Sequence, residues 1–416
     1  MTGHPRPQQG RGCSPEPMPH LLQTRLAGFY FLYYAAVGVW VPYWPLYLHN
    51  LGYSAAQIGI TLAATALVRV AVPVGWGWIM DRSGRRMPWI AGAMLVCAVL
   101  FALVPLAPGF GALVAMHVAY AVFWNVALPA FDVVTLNHMA RTGQDYARIR
   151  LWGSVGFVVA VAALGPVLDL TGVGPVPWII VAAMLGMVWM ALNVPDVHDL
   201  RPHDHALGGF FKRARQPAVL ALLGACFLSQ LSFAPFYSFF SLYLEQSSYS
   251  RTVIGALWAL GVVAEVIVFL YTGRIIRRFG ARPVLVASLL STALRWWLLA
   301  LFVDVPALLV ISQLLHFMSF AVYHAVTVHY IHELFPGRLQ GRGQALLAAV
   351  SFGLGGAIGA SLSGSIWDTL GPQWVYLAAT MMALTGAWLS RSAPSLRVQA
   401  PPEYAAQEEA RDAKVR

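Results

Sequence analysis

Gly77-Trp78-Ile79-Met80-Asp81-Arg82-Ser83-Gly84-Arg85-Arg86 closes an apolar run over residues 55–79. The same frame returns 196 residues later as Gly273-Arg274-Ile275-Ile276-Arg277-Arg278-Phe279-Gly280-Ala281-Arg282. Gly77, Arg82, Gly84 and Arg86 match Gly273, Arg278, Gly280 and Arg282; Arg277 stands where Asp81 would be. Upstream, the spacing holds without a gap. Ile58-Gly59 matches Ile254-Gly255, Tyr53-Ser54 matches Tyr249-Ser250, and Leu46-Tyr47-Leu48 matches Leu242-Tyr243-Leu244. Downstream it becomes 192, pairing Thr135 with Thr327 and Arg150 with Arg342. The chain is an internal duplication.

The 416 residues are 58% hydrophobic and 11% charged, against about 25% charged in soluble domains. Mean hydropathy is +0.64. This composition predicts an all-α, polytopic membrane protein. The net charge of +10 does not point to nucleic acid, because the basic residues sit in short loops between apolar runs. Cys13, Cys97 and Cys226 form neither a metal spacing nor a disulfide framework.

Apolar length predicts twelve spans: 26–48, 55–79, 88–107, 110–137, 148–170, 175–193, 217–244, 251–272, 283–303, 306–331, 340–368 and 372–391. The first is too long for a cleavable signal peptide and is expected to target the chain itself. One set of loops holds Arg82, Arg85, Arg86, Arg141, Arg148, Arg201, Lys212, Arg213, Arg215, Arg274, Arg277, Arg278, Arg282 and Arg338; the other holds only Arg251. By the positive-inside rule both termini are cytoplasmic. The expected organisation is a disordered N-tail 1–25, a six-helix bundle 26–193, a linker 194–216, a second six-helix bundle 217–391 and a C-tail 392–416. Two parallel repeats of this kind build one large transporter class, with the substrate site near the midplane between them.

Two charges lie at that depth, Arg69 and Glu265, and they are 196 residues apart. A charge at the centre of a helix in lipid costs about 2.5–3.5 kcal/mol on insertion scales, so it faces an internal cavity and works there. Arg69 has no acid in its own span, and its guanidinium fork suits a carboxylate. Aromatics crowd the first and seventh spans. Tyr33, Tyr34, Phe236 and Tyr237 lie deep enough either to wall a site for a flat ring or to pack the core. Trp40 and Trp44 read as anchors at the membrane interface. Trp124, Asn125 and Asp132 share a rough helical face; Asn125 meets either a ligand or a neighbouring helix. His324 matches Asp132 in the repeat. Gly353, Gly355, Gly356, Gly359 and Gly364 serve close packing or gating of the eleventh span.

The loop Gly77–Arg86 resembles the signature of the major facilitator superfamily. That resemblance implies that Gly77, Asp81, Arg82, Gly84, Arg85 and Arg86 help latch the inward face. Three stretches resemble the phenylpropionate permease family: Tyr146-Ala147-Arg148-Ile149-Arg150-Leu151-Trp152-Gly153-Ser154-Val155-Gly156-Phe157, Gly261-Val262-Val263-Ala264-Glu265-Val266 and Leu315-His316. A more distant resemblance is to the lactose permease and other oligosaccharide–proton symporters. It implies a substrate-binding pair, Asp132 with Arg150, and a proton-coupling group of Glu265, Arg295 and His316, to which the repeat adds His324. The sequence departs from that pattern at Ser319, where a titrating carboxylate is expected, so Glu265 becomes the first candidate carrier, before Asp132 and His316.

These readings converge on a secondary transporter. The expectation is proton-coupled uptake of a small aromatic carboxylate such as 3-phenylpropionate, in a bacterial inner membrane, by a monomer. Proton symport of a sugar, glycoside or nucleoside is the alternative, and drug efflux antiport comes third. A membrane enzyme would rest on His329, His332 and Glu333 alone, and a non-transporting receptor leaves the midplane charges idle. No phosphate-binding Gly-x-x-x-x-Gly-Lys-Ser/Thr loop is present. The partners expected are a small solute, protons and lipid, with no metal, no cofactor and no enzyme activity.

Overall fold

The computed structural model describes residues 20–196 and 209–394. Among them every regular element is a helix. Helices cover all twelve expected segments: α1 (His20–Asn50), α2 (Ala55–Ser83), α3 (Met87–Leu103), α4 (Phe110–Thr142), α5 (Tyr146–Thr171) and α6 (Val176–Leu192), then α7 (Pro217–Gln246), α8 (Arg251–Phe269), α9 (Ala281–Phe302), α10 (Pro306–Leu334), α11 (Gln340–Leu370) and α12 (Pro372–Ser390). Nine helices among the described residues are long and apolar enough to cross a membrane.

Several boundaries differ from expectation: α2 and α4 run past the expected 79 and 137 to Ser83 and Thr142. Helix α1 starts at His20, six residues inside the expected tail, where Arg25 Nη1 donates to the Asn193 carbonyl at 2.7 Å. Helix α8 ends at Phe269, and the basic residues that follow fold into a separate short helix, Thr272–Phe279. Part of the expected linker, Phe210–Ala214, is helical. The rest of the N-tail, most of the linker and nearly all of the C-tail lie outside the described residues, as do Cys13 and the side chain of Asp81.

Within the first half of the chain α1 packs on α5 and α6, α3 on α4 and α6, and α2 on α4. Within the second, α9 and α7 pack on α12, and α11 on α7. The halves meet along α2 with α11 and α5 with α8. Glycine makes both crossings close. A methyl at Gly59 would collide with the Ala360 carbonyl, and one at Gly255 with the Val161 carbonyl. Gly59 and Gly255 are repeat-related, so the duplication supplied the same small residue to two equivalent contacts.

These crossings lie at the end of the bundle that carries Arg251, and each is finished by a carboxylate from the opposite half. Asp368 accepts from Ala55 N (3.2 Å) and Ala56 N (2.8 Å) at the start of α2. Asp169 accepts from Arg251 N (2.8 Å) and Thr252 N (3.0 Å) at the start of α8. The next free N–H in each helix goes to its own cap: Gln57 N to Ser54 and Val253 N to Ser250, both at 3.3 Å. The donors that a helix N-terminus leaves orphaned are thus satisfied in the same way twice.

At the Arg85 end, Gly84 (φ +65°) closes α2 with its N–H on the Met80 carbonyl at 3.1 Å. This left-handed position is what glycine permits. The chain turns directly into α3, whose first N–H groups, Arg86 and Met87, donate to Asp196 at 3.0 Å. Arg82 and Arg85 are exposed, and Arg82 lies 5.6 Å over the Trp78 ring. Gly77 opens this stretch within α2.

Candidate functional site

A cavity of about 560 Å³ lies between the two halves. It is walled by α1, α2 and α4 from the first half and by α7, α10 and α11 from the second. Of the residues named from the sequence, Arg69, Asn125, Tyr33, Tyr34 and Tyr237 line it. Trp40, Tyr120, Trp124, Phe320 and Phe352 complete an aromatic lining. Tyr33 stacks on Trp124 at 4.4 Å and 15°, and Trp124 on Tyr120 at 5.5 Å, so one wall is a continuous ring surface.

Arg69 projects from the middle of α2 into this space and is exposed there. Among the described residues it has no hydrogen-bond or ion-pair partner, while its charge reaches Tyr33, Tyr120 and Tyr237. Asn125 Nδ2 donates back to the Ala121 carbonyl at 2.7 Å, which leaves its Oδ1 without a protein partner.

Asp132 and Arg150 are not on the cavity wall, and they do not bond to each other. Asp132 Oδ1 accepts from the Tyr30 hydroxyl at 2.6 Å and from the Tyr146 hydroxyl at 2.9 Å. Arg150 donates to the Tyr34 hydroxyl, and its guanidinium lies 4.1 Å over the Tyr34 ring. Both charges therefore stand one layer behind Tyr34, joined through tyrosines. Arg150 also belongs to the electrostatic surroundings of Glu265 across the interface of the halves.

In the second half a relay runs from α9 through α10 to α8. Arg295, fully buried, donates from Nη1 to His316 Nδ1 at 2.8 Å and from Nη2 to Gln313 Oε1 at 3.1 Å. His316 Nε2 faces Glu265 Oε2 at 3.4 Å. Accepting at Nδ1 fixes the imidazole with its proton on Nε2, toward the carboxylate. Sequence reasoning placed Glu265 beside Arg295; the structure inserts His316 between them. Phe236 does not line the cavity. It is buried behind it, 4.1 Å from the Arg295 guanidinium, with Trp296 at 4.6 Å on the same cation.

His316, Phe320 and His324 stack in succession at 5.3 and 6.2 Å. They are held by the π-helical turn Phe317–Val322, which brings side chains four residues apart face to face. Such turns cluster at working sites. A second one, Ala349–Gly355 in α11, carries Phe352 to the cavity. Ser319 is buried there and donates to the His316 carbonyl at 3.3 Å.

Trp44 corrects the anchor reading. It is fully buried, and its indole N–H donates to His117 Nε2 at 2.9 Å. A partner on α4 made the protein interior, not the lipid interface, the better place for the ring. Trp40 stands on the cavity wall with its indole N–H unpaired. Gln313, Gln230 and Ser238 were missed. Gln313 lies one turn before His316, a spacing that marks a shared face; Gln230 and Ser238 are polar interruptions of an apolar helix. Among the described residues no three His, Cys, Asp or Glu side chains gather as metal ligands, and His332 and Glu333 are exposed.

The probable 3-phenylpropionic acid transporter of Escherichia coli (strain K12) is 29% identical to this chain over 378 residues, covering 89% of this chain and 97% of the relative. The maltose permease of Geobacillus stearothermophilus is 26% identical over 366 residues, covering 86% and 91%. The crystal structure of the nucleoside transporter NupG superposes with a TM-score of 0.78 at 17% identity, covering 89% of this chain and 98% of that one. At that identity the likeness shows the fold alone, which is that of major facilitator transporters. Apolar helices of membrane-crossing length and bacterial transporter relatives identify an integral membrane protein, and these relatives are transporters, not enzymes. The family model described as MFS_1 like family matches residues 23–378, and the chain belongs to that family.

Proposed function

We propose that the protein is a monomeric, proton-coupled symporter that takes up a small aromatic carboxylate by alternating access between two six-helix halves. The observation that carries this reading is Arg69, a guanidinium without a protein partner on the wall of an aromatic cavity between the halves. A guanidinium binds carboxylate in a bidentate fork, and stacked rings receive an aryl group. The name of the Escherichia coli relative agrees with that substrate class.

The relay Arg295–His316–Glu265 supports proton coupling, with no resident cofactor. Glu265 takes up and releases the proton, and His316, held through Nδ1 by the buried Arg295, offers its Nε2 proton to the Glu265 carboxylate. Asp132 and Arg150 form a second layer, and Arg150 holds the Tyr34 hydroxyl of the wall in place. His324, stacked behind Phe320, extends the group. The basic loops support an orientation with the Arg85 end and both termini cytoplasmic, and the bacterial relatives support an inner-membrane location. The Arg251 end is then the outer seal, shut in this conformation, and Gly77, Asp81, Arg82, Gly84, Arg85 and Arg86 belong to the inner latch. Rocking of the halves about α2–α11 and α5–α8 exchanges one seal for the other.

The test is uptake of radiolabelled 3-phenylpropionate into proteoliposomes with and without an inward proton gradient. Gradient-driven accumulation is the expected result; its absence refutes the substrate assignment. Proton symport of a sugar, glycoside or nucleoside is the second reading, favoured by the maltose permease relative, and is screened in the same vesicles.

A further inference from the structure

Resting on that reading, the polar groups of the cavity narrow the substrate class. Gln230 and Ser238, on α7, are each 4% exposed and line the cavity. Among the described residues neither side chain has a hydrogen-bond partner. They stand two turns apart on one helical face, roughly 12 Å along the axis, with Ala234 between them on the same wall. Across the cavity, Asn125 gives one of its two amide N–H groups to the Ala121 carbonyl, and among the described residues its Oδ1 has no partner.

Donor and acceptor accounting gives these groups a meaning. Arg69 only donates, so it answers the carboxylate. Gln230 and Asn125 each offer an amide oxygen, and Ser238 a hydroxyl oxygen. A carboxylate can accept from their N–H and O–H groups, but neither it nor a bare phenyl ring brings a donor for the two amide oxygens, and a buried polar group left unpaired is costly. The geometry points to a substrate that carries a hydroxyl on the ring as well as the carboxylate. We infer that this cavity selects a ring-hydroxylated aryl carboxylate, with Arg69 on the acid and Gln230, Ser238 or Asn125 accepting from the ring hydroxyl. A hydroxyl also accepts, so the Gln230 amide can return a hydrogen bond to the same oxygen.

The experiment measures kcat/KM for uptake of 3-phenylpropionate and of its 2-, 3- and 4-hydroxyphenyl analogues in proteoliposomes. Wild type is expected to favour at least one hydroxylated acid by about tenfold or more, since a site built to bind a hydroxyl rejects the analogue lacking it. Gln230→Leu, Asn125→Leu or Ser238→Ala should bring that ratio toward one. The ratio is the readout because a merely structural role lowers both substrates together. Equal use of all four acids by wild type overturns the inference and leaves the aryl carboxylate reading standing. A ratio that survives in all three variants also overturns it. Uptake of none of the four acids defeats the aryl carboxylate reading itself, and this inference with it.

Discussion

Arg69 and Glu265 hold the same place in the two copies of the repeat, yet one is idle and the other engaged. Arg69 extends into the cavity without a partner among the described residues. Glu265 faces His316 at 3.4 Å, and through it Arg295 and Gln313. The surroundings explain the difference. Around Arg69, α1 and α4 offer rings and one amide already turned to its own backbone. Around Glu265, α9 and α10 bring a cation and an imidazole. A charge the protein leaves unsatisfied is free for a ligand; a charge already inside a hydrogen-bonded chain is suited to trading a proton. Duplication supplied the two positions, and divergence gave them different surroundings.

Replacing Glu265 by Gln is the severest test of that division. The amide still meets His316 but cannot carry a proton. Accumulation driven by a pH gradient should vanish, while exchange of labelled for unlabelled substrate across the membrane continues. Full accumulation in this variant would move the proton to another group and dissolve the contrast. Arg295→Leu tests the other side of it. The change leaves His316 Nδ1 and Gln313 Oε1 unsatisfied in the core, and a buried acceptor without a donor costs about 1–3 kcal/mol. Thermal unfolding in detergent should show a clear fall in midpoint; an unchanged midpoint means the relay is not holding the second half together.

Arg69→Gln should behave in the opposite way. No protein group loses a partner, so the unfolding midpoint stays near wild type. Losing a desolvated charge pair to the substrate costs about 2–5 kcal/mol, and about 2.8 kcal/mol within that range is a hundredfold fall in kcat/KM for uptake. Uptake within about twofold of wild type would remove Arg69 from the binding site and, with it, the reason to call its half the binding half.

The helices and the duplication were legible because both depend on properties a single chain displays: apolar length, glycine at turns and fixed spacing. Gly84 closing α2, and Gly59 with Gly255 at repeat-related crossings, follow from that. So does the placing of Arg69, Asn125, Tyr33, Tyr34 and Tyr237 on one cavity. The partners were less legible. A helix's own phase is read from its sequence, but its rotation against a neighbour is set by packing from both. Hence Asp132 was expected on Arg150 and lies on Tyr30 and Tyr146 instead. Phe236, left open between wall and core, is in the core and covers Arg295. The π-helical turns of α10 and α11 shift the phase of everything after them, which no count of 3.6 residues per turn anticipates.

Where the halves are still alike, the comparison sharpens from the other direction. At the Arg251 end Asp169 and Asp368 do the same thing, each crossing to the opposite half and accepting from the first two N–H groups of a helix. The bonds exist only while this end is closed, so they count toward the closed state alone. An N-cap is worth about 1 kcal/mol, which is roughly fivefold in the balance between closed and open. Asp368→Ala and Asp169→Ala should each raise, by a few-fold, the rate at which a thiol reagent supplied at this end reaches a Ser238→Cys reporter in the cavity. Asp169 also accepts from the Thr252 hydroxyl at 2.6 Å, so its loss should be the larger of the two. Because the caps act on separate crossings of one rigid motion, the double variant should show the product of the single effects. A double variant no faster than the singles would mean that the crossings open independently, and that the halves do not rock as two bodies.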